Sequence, residues 1–189
     1  LVLGVVAAGI MGTSAFQAQL AVRSAVTNQA SLTDSALRTD LIWASQIEAK
    51  DDTSFTATVP GADGGCRVSE WTIRDSPEGN REVVNTVYNY KSFNADTNPV
   101  TCDGGSTGRI DSVLVANASP GSAFTYRNAG GYELTYKDGV HQARTHDLAS
   151  KPAAVSTVNW KSTKLDTVSL DTVVGYGSDT ATPFRFTQT

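Results

Sequence analysis

Residues 1–50 read LVLGVVAAGIMGTSAFQAQLAVRSAVTNQASLTDSALRTDLIWASQIEAK, and this stretch decides the expected fold. It contains no proline, and after Gly12 it contains no glycine. Good helix formers recur throughout it, so nothing interrupts a helix that begins at its first residue. The sequence therefore predicts one continuous N-terminal helix of about fifty residues.

The first part of this predicted helix is apolar. No side chain within residues 1–22 is ionisable, and residues 1–16 are almost wholly apolar or small. Sixteen helical residues reach roughly 24 Å, which is less than the roughly 30 Å hydrocarbon core of a membrane. Either the apolar segment is truncated here, or it is not a full membrane span.

A signal peptide is an alternative interpretation of the same segment. The small residues Thr13, Ser14 and Ala15 follow the apolar run, as they would at a cleavage site. No lysine or arginine precedes the run in this sequence, and a signal peptide requires such a basic segment. We therefore expect a retained helix.

A row of small residues runs along one side of the apolar part. Gly4, Ala8 and Gly12 stand four residues apart. Small residues at this spacing allow a second helix to approach closely in an apolar medium. A generic apolar segment is the alternative, because glycine and alanine are common in such helices. Our hypothesis is that these three residues are a helix-packing and assembly surface.

Residues 23–50 show two neighbouring rows of apolar side chains at helical spacing, with polar residues on the opposite side. The first row is Val26, Ala30, Leu37, Leu41 and Ala44, and the second row is Leu32, Ala36, Trp43 and Ile47. Such an amphipathic pattern is typical of a helix that packs lengthwise against a sheet.

Asp40 falls inside this apolar arc. A carboxylate buried there without a partner would cost several kcal/mol. We therefore expect Asp40 to accept hydrogen bonds from backbone amides of the following domain, or to pair with an arginine or lysine, and so to anchor the helix to that domain. A half-exposed residue at the helix–sheet border is the alternative.

Beyond residue 52 the pattern changes to the alternation of half-buried strands. The stronger predicted strands are residues 54–59, 67–73, 83–90, 109–115 and 132–136, and the weaker ones are 154–160, 167–174 and 184–187. Clusters rich in glycine, proline, asparagine or aspartate separate them, for example residues 60–65 and 103–105. The sequence thus predicts an antiparallel β-rich head in residues 53–189.

Cys66 and Cys102 are the two cysteines of the chain, and they bracket two predicted strands. In an oxidising compartment, an even pair in a small extracytoplasmic domain is more often a disulfide than two free thiols. No histidine lies between or next to them, which weakens a metal site or a reactive thiol. We predict a Cys66–Cys102 disulfide.

Composition argues against a nucleic-acid partner. The formal net charge is −4, and lysine and arginine form no basic stripe or cluster. Proteins that bind nucleic acid carry such a basic footprint. The chain is instead rich in small polar residues, as is typical of a β-rich domain with many polar turns.

Catalytic and metal sites are weakly supported. Residues 104–108 match the G-x-S-x-G pattern, but a strand-like stretch follows where that motif needs a helix. His141 and His146 are five residues apart, which does not place two ligands neatly on one helical face. Asp96, Asp103 and Asp111 flank loops where calcium is conceivable, yet no EF-hand spacing is present. We predict no enzyme activity and no cofactor.

The combined pattern resembles a known family. An apolar helix that continues into an amphipathic half, the stretch LRTDLIWA at residues 37–44 and the tyrosine-rich YELTYKDG at residues 132–139 are similar to type IV pilins and type II secretion pseudopilins. The closest likeness is to the larger minor subunits. The family carries a glutamate at the fifth mature position, whereas here no acidic residue precedes Asp34. That glutamate is therefore assigned to no residue of this chain.

The resemblance implies an α+β fold, in which a long N-terminal helix, apolar and then amphipathic, packs on an antiparallel β-sheet head. Residues 1–22 would form the membrane and filament core, and residues 23–50 would pack on the head. The partners would be other copies or sister pilin subunits, the membrane before assembly, and the inner-membrane assembly machinery. The location would be a filament at the cell surface. The alternative is a membrane-anchored or secreted monomeric binding module.

Overall fold

The structure is a computed structural model. It describes the backbone of residues 2–77, 79–97, 100–128, 132–137, 140–145, 155–157, 165–174 and 182–188, and the side chains of residues 17, 20–77, 79–97, 100–127, 165 and 167–172.

One helix precedes a series of strands. Helix α1 spans Val2–Trp43. The described strands are β1 Gln46–Ala49, β2 Ser54–Pro60, β3 Cys66–Asp75, β4 Arg81–Asn94, β5 Thr101–Ala118, β6 Ala123–Asn128, β7 Tyr132–Lys137, β8 Val140–Thr145, β9 Val155–Thr157, β10 Leu165–Val174 and β11 Thr182–Gln188.

All described strand pairs are antiparallel. The first five strands form a meander in which each strand pairs with the next along the chain. The order continues β5-β10-β6-β7-β8-β9, and β11 pairs with β10. Strands β5 and β10 meet at one residue pair, Val174 with Ala118. The meander is therefore joined to the later strands at a narrow point in the described part of the chain.

The core lies where α1 covers the inner face of the meander. Phe55 on β2 and Trp71 on β3 are fully buried, and their rings stack with centroids 6.0 Å apart. Phe124 on β6 meets the Phe55 ring edge-on at 5.0 Å. Leu37 of the helix is fully buried and belongs to the same core cluster. Aromatic pairs in these geometries add to the stability that burial provides.

The predicted fold class is wrong. The described structure is mostly β, and a long apolar helix packed on the sheet is not seen. Among the described side chains, α1 is buried only along Val26, Ala30, Thr33, Leu37 and Asp40. In the part of the chain whose side chains are described, no helix combines the length and the apolar character needed to cross a membrane.

The helix is also shorter at its C-terminal end than predicted. It ends at Trp43, and residues 46–49 form β1 against β2. The Ser45 amide already donates to the Thr58 carbonyl at 2.8 Å, which starts this strand pairing. Residues 44–50 contain neither glycine nor proline to mark the end of a helix, so tertiary pairing decides their conformation.

Each predicted strand overlaps a strand of the structure, but β1, β6 and β8 were missed. The predicted loop at residues 103–105 is wrong, because these residues lie inside β5. Gly104 and Gly105 have φ angles of 85° and 72°, which glycine adopts without steric cost. They let β5 continue through an irregular stretch of its pairing with β4.

Candidate functional site

The helix–sheet junction around Asp40 is a buried polar site with an ion pair in the described structure. The buried positions of α1 follow one another at spacings of four and three residues, and Asp40 is the last of them. It is 4% exposed and faces β3 and β4. The helical spacing therefore places the Asp40 carboxylate on the buried face of α1.

Three side chains of the sheet donate to this carboxylate. The Arg67 guanidinium donates through Nη2 to Oδ1 at 2.7 Å. The Trp71 indole Nε1 and the Asn85 amide Nδ2 donate to Oδ2 at 2.9 and 3.0 Å. Both carboxylate oxygens are thus occupied, and the charge faces a cation. A buried carboxylate needs this combination of ion pair and hydrogen bonds.

The strand register explains how the three donors converge. Trp71 on β3 pairs directly with Asn85 on β4, so both side chains leave the sheet on the same face. Arg67 is four residues before Trp71 on β3 and shares that face. The Arg67 side chain remains one-third exposed, so this cation lies at the rim of the junction.

The sequence predicted a buried, partnered Asp40, and the structure places it in such a junction. Its role as the anchor of the helix stays a prediction until its contribution to stability is measured. The sequence did not identify Trp71 and Asn85. Trp71 could have been identified, since it lies four residues after Arg67 in the predicted strand 67–73 and therefore on the same face. The position of Asn85 depends on the register of β3 with β4, which the sequence does not reveal.

A second feature lies on the exposed part of α1. Leu32, Ile42 and Trp43 are 62%, 58% and 69% exposed, and we call these three residues the outer helix face. The prediction that Leu32 and Trp43 pack on the sheet is wrong. Leu32 and Trp43 lie about 20° apart around the helix and three turns apart along it. Both are about 110° around the helix from the centre of the row of buried α1 side chains.

The predicted assembly residues Gly4, Ala8 and Gly12 belong to α1. Their surroundings lie outside the side chains that the structure describes, so their role stays a prediction.

The predicted disulfide is confirmed. Cys66 and Cys102 are bonded, with an S–S distance of 2.02 Å and a Cα–Cα distance of 5.9 Å. Cys66 begins β3, and Cys102 lies near the start of β5. The bond therefore links β3 and β5, the two strands that flank β4, at the end of the β4–β5 hairpin where β4 connects to β5.

The residues considered for catalysis do not form a site in the described structure. Ser106 lies within β5, not at a strand-to-helix turn, and its hydroxyl donates to the Gly108 carbonyl at 3.0 Å. His141 lies in β8, and His146 falls outside the described residues. No group of three or more histidine, cysteine, aspartate or glutamate side chains converges among the described residues.

The aspartates considered for calcium are spread along one hairpin. Asp103 and Asp111 both lie in β5, which puts them about 26 Å apart along the strand. Asp111 pairs with Arg109 at 3.0 Å. A hydrogen bond from the Arg109 side chain lowers the pKa of the Asp111 carboxyl. This carboxylate is therefore engaged with a protein cation.

Comparison of the chain with protein-family models, with curated proteins and with solved structures gives no match. The likeness to pilins and pseudopilins therefore depends on the sequence pattern alone. Among the described residues, large exposed apolar side chains lie on helix α1 and at Ile110 and Val113 of β5.

Proposed function

We propose that this protein is a structural subunit of a type IV pilus-like or pseudopilus filament that assembles through the apolar part of α1. One observation carries the proposal. Helix α1 begins at Val2, but the first buried side chain in its described part is Val26. About 36 Å of helix precedes that position. The described side chains that precede Val26 include Leu20, which is 48% exposed, so the described part of this leading helix offers apolar surface for contacts other than those with the sheet.

The sequence of this leading helix requires a cover. Residues 1–22 carry no ionisable side chain. Burying apolar surface is worth about 25 cal/mol per Å², and large exposed apolar patches associate. The continuous helix Val2–Trp43 contains no proline at which the leading part would fold back. We infer that lipid covers it before assembly and that neighbouring helices cover it afterwards.

The outer helix face supports the same function. Leu32 and Trp43 are exposed, whereas Asp40 is buried on the inward face of the same helix. A tryptophan on a helix surface is a typical anchor of a protein–protein contact. In a bundle of helices, these side chains would meet the neighbouring subunits. The partners would be further copies or sister subunits, delivered from the membrane by an assembly machinery to a filament at the cell surface.

A pair of matched substitutions tests the proposal. Ala8→Leu adds bulk to the row of small residues, whereas Ala7→Leu adds the same bulk about 100° away around the helix. We expect Ala8→Leu to reduce filament yield, because a bulky residue holds packed helices apart, and Ala7→Leu to reduce it less. Filaments are counted by electron microscopy, and formation of the Cys66–Cys102 disulfide reports on the folded head.

Equal filament yields from Ala8→Leu, Ala7→Leu and the unchanged chain would contradict the packing role of this row. Ala8→Lys is the stronger variant, since a lysine at this position buries an unpaired charge both in lipid and between helices. Normal filaments from Ala8→Lys would rule out assembly through this part of the helix.

A further inference from the structure

Strand β5 has an open edge in the described structure. One side of β5 pairs with β4 from Thr101 to Ala118. On its other side, the only described pairing is that of Ala118 with Val174. The backbone donors and acceptors on this side of residues 101–117 therefore have no described strand beside them. Such an edge is a template for pairing with another strand.

The middle of this edge is regular and accessible. Residues 108–113 pair with β4 without a register shift, whereas irregular pairing bounds them on both sides. Ile110 and Val113 are 58% and 49% exposed, and they are the large exposed apolar side chains of the described sheet. A regular strand segment with exposed apolar residues is suited to strand addition.

The charges of the segment are self-complementary. Arg109 and Asp111 stand on either side of Ile110, and both are exposed. If two copies of β5 pair antiparallel about a two-fold axis at Ile110, Arg109 of each copy lies opposite Asp111 of the other. Opposite charges placed across a strand pair stabilise it. Gly108 then lies opposite Ser112, where neither side chain obstructs pairing.

Neighbouring registers are disfavoured. A two-fold axis at position 109 would place Arg109 opposite its own copy, and an axis at position 111 would do the same with Asp111. Like charges directly opposite each other destabilise a strand pair. The sequence of the edge therefore selects one register from the available set.

We propose that the β5 edge is an isologous interface at which a second copy of this chain adds its own β5, antiparallel and centred on Ile110. A two-fold contact closes on itself, so it joins two heads and does not by itself extend a filament. The interface is thus separate from assembly through α1, and a negative result for one proposal does not contradict the other.

Single-cysteine crosslinking of the full chain in detergent micelles tests the proposal. Directly opposite Cα atoms in an antiparallel pair are about 4.5 to 5.5 Å apart, within the range that a disulfide spans. Ile110→Cys should therefore give a covalent dimer under mild oxidation. Val113→Cys is the matched control, because its two copies would be about 20 Å apart in the same register. Mass spectrometry confirms that Cys66–Cys102 is intact.

We expect the initial rate of dimer formation with Ile110→Cys to exceed that with Val113→Cys by about tenfold or more, because only the former meets the distance requirement of a disulfide. Equal rates would mean random collision in the micelle and would overturn the proposal. The absence of dimer from Ile110→Cys would also overturn it, and would leave the edge to a different partner or to none.

A charge exchange tests the register. In the Ile110→Cys chain, Arg109→Asp places aspartates opposite each other and should reduce the dimer rate to the level of Val113→Cys. Adding Asp111→Arg restores opposite charges in the same register and should restore the rate. Arg38→Asp, which changes a 60% exposed cation on helix α1 and not on the sheet, should leave the rate unchanged. Failure of the double exchange to restore the rate would contradict the proposed register.

Discussion

The inward face of helix α1 between Val26 and Trp43 is mostly apolar and the outward face is mostly polar, and each face carries exceptions. The inward face contains a threonine and an aspartate, whereas the outward face contains a leucine, an isoleucine and a tryptophan. Both inward polar side chains make hydrogen bonds. Thr33 donates to the Gln29 carbonyl of the preceding turn at 2.7 Å, and Asp40 receives three donors from the sheet.

This difference indicates what each face is for. The inward face packs on the meander through apolar side chains and through the polar junction at Asp40. The outward face leaves apolar side chains where the chain itself does not cover them. Monomeric proteins expose single apolar residues routinely, so the outer helix face gains meaning from its position beside a leading apolar segment.

The largest expected effect is at Asp40. Asp40→Ala removes the shared acceptor of Arg67, Trp71 and Asn85, and should lower the free energy of unfolding by about 3 to 5 kcal/mol, as for other broken buried pairs. Arg38→Ala is the control, because its side chain is 60% exposed on the same helix. We expect the control to change stability by less than about 0.5 kcal/mol. Denaturant unfolding measures both, and equal values for the two variants would contradict the anchor role.

A matched pair of leucines compares the two faces directly. Leu37 is fully buried and Leu32 is 62% exposed, although both belong to the same helix. Leu37→Ala should cost about 2 to 5 kcal/mol in the free energy of unfolding, because it leaves a cavity against the sheet. Leu32→Ala should stay within about 0.5 kcal/mol. If Leu32→Ala costs as much as Leu37→Ala, Leu32 is packed inside the protein and the comparison of faces fails.

The smallest effect on stability is expected at Trp43. Trp43→Ser should change the free energy of unfolding by less than about 0.5 kcal/mol, since the side chain is mostly exposed. The same variant should reduce association between subunits, because exposed tryptophans often carry contact energy. Filament yield and unfolding are measured on the same preparation. Unchanged filament yield would remove Trp43 from the proposed subunit contact.

The sequence predicted an N-terminal helix and most strands because both depend on local periodicity, but the fold class inferred from them is wrong, since the described structure is mostly β. It predicted the disulfide because paired cysteines in a β-rich domain have few other roles. It did not distinguish the two apolar rows of α1, since they lie close together around the helix and the choice depends on where the sheet ends. In the second row, Leu32 and Trp43 are exposed, whereas Ala36 and Ile47 pack against the core.

The predicted partner of Asp40 was a residue type and not a position. Arg67, Trp71 and Asn85 converge through the register of β3 with β4, which is a long-range property. The same limit explains β1. Its four residues pair with four residues of β2, and the local sequence of residues 44–50 contains no signal for this pairing. Tertiary pairing overrode a helical pattern that was otherwise continuous.

The mass distribution of the full 189-residue chain after detergent removal tests the central claim most directly. Sedimentation velocity and electron microscopy of the same sample should show elongated polymers, with residues 1–22 protected from protease because neighbouring helices cover them. A single monomeric species in detergent-free buffer, with residues 1–22 intact, would contradict assembly through α1 and would favour a monomeric binding module.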